Sequence, residues 1–168
     1  MKLFRKNIYF TILLYLLSNT IVLSQRVSYT YRALAAEGCT MFYSVARQDT
    51  SYFIVATVRS DRMQYLSEPT MKIRTFNDEV FELKGVSLGS GSESAGILMG
   101  NIMVPVTEIN STAQFKIMPQ QFEMIKNGVA KIRLSMTPMN HERTFKKDKI
   151  GKKLYKFYLK AKEQDDTF

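Results

Sequence analysis

The chain has 168 residues, a formal net charge of +9, one Cys, one His and no Trp. That length suits one domain with a substantial core, and a lone Cys excludes an intramolecular disulfide, so packing must hold the fold. With one His and one Cys, a zinc site would need at least two carboxylates, none of which is spaced for it, and the acidic residues are too scattered to form a calcium loop.

Lys2, Arg5 and Lys6 precede an apolar run from Ile8 to Leu17, and Val22 and Ser24 stand at the small-residue positions before Gln25. Residues 1–24 therefore read as a signal peptide. The run breaks at Ser18, Asn19 and Thr20, short of the roughly 18 to 20 apolar residues of a spanning helix. A retained N-terminal anchor is the alternative. Cleavage removes three cations and no anion, lowering the formal charge to +6. Residues 25–168 then form one exported domain, periplasmic or secreted.

From Arg26 to Met136 the chain reads mainly as strands. Val27–Arg32, Thr40–Arg47 and Tyr52–Arg59 are rich in aromatic and β-branched residues, with a polar turn over Gln48–Ser51. Tyr52 to Val58 is apolar on both faces, as in a central strand covered on two sides. Met71, Ile73 and Thr75 alternate with Lys72 and Arg74, and Phe81 and Leu83 with Glu82 and Lys84, around Asn77-Asp78. That pattern predicts a hairpin with one wet face.

Gly85 to Gly96 reads as a flexible connection. It has Ser at position 94, where a dinucleotide fingerprint needs Gly, and lacks the Lys of a phosphate-binding loop. Ile97–Ile109 and Ala113–Ile117 supply further strand, Pro105 marking an edge or bulge. Pro119 opens a short helix that closes before Gly128, with Phe122 and Ile125 inward, and Lys131–Met136 alternates as a strand. Ile150, Leu154, Phe157, Tyr158 and Ala161 then form one stripe of a basic helix over 149–163, with Asp148 as its cap. The expected fold is mostly β: a two-layer antiparallel β-sandwich with one short helix and a C-terminal amphipathic helix.

Gly128-Val129-Ala130-Lys131-Ile132-Arg133, His141-Glu142 and Phe145 to Tyr155 resemble the C-terminal part of small exported β-rich proteins of unknown function from Bacteroidetes-type bacteria. The resemblance covers the last third of the chain. It implies an envelope or secreted protein and brings no activity, cofactor or functional residue.

From His141 to Lys162 there are nine Lys or Arg against Glu142 and Asp148. Lys149, Lys152, Lys153, Lys156 and Lys160 are the candidate contacts for an anionic partner. The competing reading packs the apolar stripe on the sheet and leaves these lysines solvated. Lys outnumbers Arg, which argues against specific phosphate forks and against nucleic acid as the ligand. Cys39 and His141 are the one possible nucleophile pair, but Cys39 sits in a strand pattern as a small apolar residue. Tyr29, Tyr31, Tyr43 and Tyr52 offer sugar-stacking rings but fit strand positions better.

No catalytic residue, metal ligand or cofactor is assigned. The reading is an exported, non-enzymatic binding or structural β-sandwich protein of the bacterial envelope, with an unknown protein or envelope component as partner and at most peripheral membrane contact. The alternatives are a peripheral module binding anionic surfaces through the Lys-rich helix, and a small hydrolase with an unrecognised pocket.

Overall fold

A computed structural model describes residues 25–33, 36–61 and 64–163, so the signal-peptide expectation lies outside the described residues. Its strands are β1 (Val27–Ala33), β2 (Ala36–Gln48), β3 (Ser51–Ser60), β4 (Thr70–Thr75), β5 (Val80–Met99), β6 (Ile102–Ile117), β7 (Val129–Leu134) and β8 (His141–Thr144). The helices are α1 (Pro119–Ile125) and α2 (Gly151–Glu163). The eight strands form one antiparallel sheet in the order β1-β2-β3-β6-β5-β4-β7-β8, and the sheet is curled.

Alternation decides which face is buried. Met41 and Tyr43 on β2, Ile54, Ala56 and Val58 on β3, Ala113 and Phe115 on β6, Met71 and Ile73 on β4, and Ile132 and Leu134 on β7 are all fully buried. They line the inside of the curl. Phe122 and Ile125 of α1 and Leu154 and Tyr158 of α2 fill it further, and Tyr158 stacks on Phe122 at 4.2 Å between ring centroids. β3 is central in the ladder, paired to β2 on one side and β6 on the other. Its outward residues Phe53, Val55 and Thr57 are only half-buried, so the expectation of two covered faces is corrected: hydrogen-bonded neighbours flank its edges, while one face packs.

The β4–β5 hairpin forms as expected, its turn closed by Thr75 N–H donating to Glu79 O at 2.9 Å and by Asp78 in the left-handed region at φ 61°. The Gly/Ser segment overturns a second expectation. Gly85 to Met99 is no loose connection but a strand, paired with β6 along its length apart from a register shift at Leu88. Backbone ladder bonds do not depend on the side chains, so a partner strand overrides poor strand propensity. A Cβ on Gly85 would lie 2.6 Å from Phe115 Cε1, so the glycine there admits the buried ring. β8, which lacks a clean alternating pattern, is recruited by β7 through the register Lys131↔Thr144 to Leu134↔His141.

Asp148 anchors α2. Its Oδ1 accepts from the N–H groups of Gly151 (2.8 Å), Ile150 (3.3 Å) and Val129 (2.9 Å), and Oδ2 accepts from Lys152 N–H (2.9 Å). One carboxylate thus caps the helix and ties it to the start of β7. The approach is close, for a Cβ on Gly151 would stand 2.6 Å from Val129 N.

Candidate functional site

β1 and β8 lie at opposite ends of the strand order, yet the curl brings their side chains together. Tyr29 Oη lies 2.7 Å from His141 Nε2 and 3.1 Å from Tyr43 Oη, and the Tyr31 ring centroid is 4.1 Å from that of His141. Burial, with Arg143 adding to it, pushes the His141 pKa down to about 4. The imidazole is thereby neutral at ordinary pH, and Tyr29 links it to Tyr43 in one buried hydrogen-bond chain. Burial also pushes the Tyr29 hydroxyl up to about 12 and raises those of Tyr31 and Tyr43. This neutral chain is a lock between the sheet's ends.

Cys39 is buried and bonds Ser60, with Sγ and Oγ 3.1 Å apart, while His141 is engaged by Tyr29. The two residues of the possible nucleophile pair therefore have different polar partners. Among the described residues no group of three or more His, Cys, Asp or Glu is placed to hold a metal ion.

The Lys-rich helix packs. Ile150, Leu154 and Tyr158 are buried, and Phe157 and Ala161 are half-buried. Lys149, Lys152, Lys153, Lys156 and Lys160 are exposed on the other side. The stripe that a docking helix would offer is thus already covered by the protein's own core, leaving a convex, solvated cationic face.

The most unusual surface lies elsewhere. β4 pairs only with Val80–Lys84 of β5, and β3 reaches only Ile109 of β6, so among the described residues the hairpin beyond Glu93 and Glu108 has no third strand beside it. From Glu93 to the Gly100-Asn101 turn the ribbon extends about 20 Å at the usual strand rise. Its register pairs Ile97 with Val104, Leu98 with Met103 and Met99 with Ile102. Leu98 and Met103 share one face, and Ile102 and Val104, one position to either side of Met103, take the other, so both faces carry exposed apolar side chains. Leu98, Ile102 and Met103 are each 69% exposed. No charged residue occurs between Glu93 and Glu108. Gly100, at φ 64°, supplies the left-handed residue of the turn.

Sequence patterning located Ile97–Ile109 as strand but not as an arm. The apolar run was visible; the missing neighbours were not. No family model, curated protein or solved structure matches the chain.

Proposed function

We propose that the protein is an exported, non-enzymatic binding protein of a bacterial envelope that docks on another protein through the β5–β6 arm. Export is supported by the leader-like residues 1–24 and the envelope setting by the resemblance of the C-terminal third. We read the scaffold as a β-sandwich whose layers are β1-β2-β3-β6 and β4-β7-β8, supported by the contact between Tyr29 and His141 at the ends of the sheet order.

The observation that carries docking is the arm: two strands apolar on both faces, with Leu98, Ile102 and Met103 largely exposed. A ribbon of two strands is marginal in water without something covering it, and exposed apolar patches on soluble proteins mark interaction sites. A protein suits this ribbon better than a bilayer. Among the described residues no strand pairs with either outer edge of the arm, and edge N–H and C=O groups are ones that hydrocarbon cannot satisfy but a partner strand can. Glu93 and Glu108, opposite each other at the base, would also face the headgroups of an anionic membrane.

Photo-crosslinking in the producing cell tests this. A crosslinking residue at Leu98 or Met103 is expected to yield a discrete protein adduct that one at exposed Lys146 does not. The Leu98→Ser/Met103→Ser variant should fold normally and lose that partner. Adducts to lipid alone, or none at either tip position, would refute the reading.

A further inference from the structure

The outer face of β4 and β7 carries a second, unrelated surface. Lys72 and Arg74 on β4 and Lys131 and Arg133 on β7 point away from the core, their strand neighbours Met71, Ile73, Ile132 and Leu134 being fully buried. The register sets Lys72 directly opposite Arg133 and Arg74 directly opposite Lys131. Like charges facing across a ladder destabilise it, and here the arrangement occurs twice in succession.

The surrounding carboxylates offset the cluster only in part: Glu82 and Glu142 stand against four cations, with Glu142 opposite Arg133 in register and its carboxyl held low by its hydrogen bond to Lys131 and by the charge of Arg133. Glu142 is paired with Lys131 at 2.7 Å. Glu82 is opposite Lys72 in register, yet among the described residues no ion pair joins Glu82, Lys72, Arg74 or Arg133 to an opposite charge. The four cations, Val80 and Glu142 line a cleft of about 180 Å³. That is smaller than the roughly 300 to 1,000 Å³ of pockets for drug-sized ligands, so it suits one small group rather than a whole metabolite.

We propose that this cleft binds a phosphoryl group. Arg74 and Arg133 stand diagonally across the two strands, each carrying the planar fork that matches phosphate oxygens, and Lys72 and Lys131 add point charge beside them. A concave cluster also concentrates potential more than lysines spread over a convex helix. The group belongs either to a free phosphomonoester or to a phosphorylated lipid headgroup, both offering the same oxygens. The ribbon arm plays no part.

The test is an amide-resolved NMR titration of the mature protein with inorganic phosphate at low salt. Saturable shifts are expected at Lys72, Arg74, Lys131 and Arg133. Arg74→Gln/Arg133→Gln should weaken binding at least about tenfold, the scale of losing charge-assisted hydrogen bonds, with its melting temperature near wild type because both side chains are exposed. Lys152→Gln/Lys156→Gln, on α2, and Leu98→Ser/Met103→Ser, on the arm, should bind as wild type does. Co-sedimentation with phosphatidic acid vesicles but not phosphatidylcholine vesicles would assign the headgroup, and phosphate binding without vesicle binding would assign the free ester. Equal weakening by the sheet and helix variants, shifts centred on α2, or no saturable shift would overturn the proposal.

Discussion

His141 makes stability depend on pH in a direction set by its burial. The side chain is 6% exposed, and its pKa falls from the ordinary 6.5 to about 4 in the folded protein. Because the folded value is the lower one, the unfolded chain takes up the proton first as the pH drops. The stabilisation is therefore complete above about pH 6.5, declines as the pH falls towards 4, and stops changing below that. At roughly 1.4 kcal/mol per pKa unit, the difference between those values amounts to about 3 kcal/mol. Protonation also makes both ring nitrogens donors, which fixes the direction of the Tyr43–Tyr29–His141 hydrogen-bond chain. The assay is urea unfolding at steps between pH 7.5 and 4, for wild type and His141→Gln. Gln accepts from Tyr29 without titrating in this range, and the carboxylates shared by both proteins cancel in the difference. The wild-type advantage should shrink, or reverse, by about 3 kcal/mol across the window. A difference that stays constant with pH would refute the neutral-lock reasoning.

Further outcomes follow from the packing. Ile54 is fully buried in β3, so Ile54→Ala should cost about 2 to 5 kcal/mol in denaturant unfolding, and a loss well under 1 kcal/mol would place it outside the core. Asp148→Ala removes the acceptor for four N–H groups at the joint of α2 and β7 and should cost about 2 kcal/mol or more; thermal and urea unfolding within about 0.5 kcal/mol of wild type would refute that role. Leu154→Asp should destabilise the whole fold, whereas Lys152→Glu/Lys156→Glu should stay within about 1 kcal/mol of wild type, because exposed charges contribute little. Unchanged melting of Leu154→Asp would mean that α2 is not docked.

Local pattern carried much of this fold. Period-2 alternation around Asn77-Asp78 specifies the β4–β5 hairpin, because side-chain direction follows directly from backbone pleat. The spacing of Ile150, Leu154 and Tyr158 likewise identifies the buried stripe of α2, and the position of Asp148 identifies its cap. What alternation conveys is which face a residue is on; it does not convey which strand lies beside it. The Gly/Ser segment became half of β5 only because β6 pairs with it, and His141 entered a strand only because β7 recruited it.

The same limit explains the candidate surfaces. Lys72 and Arg133 are far apart in the chain, and each alone looks like an ordinary outward residue; only the β4–β7 register sets cation against cation. Ile102 and Met103 belong to an apolar run that would suit a covered strand, and they are exposed because, among the described residues, no third strand lies beyond Glu93 and Glu108. Tyr29 and His141 meet across 112 positions because the sheet curls. Chain-local forces are written in neighbouring residues, whereas strand order, curl and the juxtapositions they create depend on the pairing of distant segments, whose combined free energy no single segment contains.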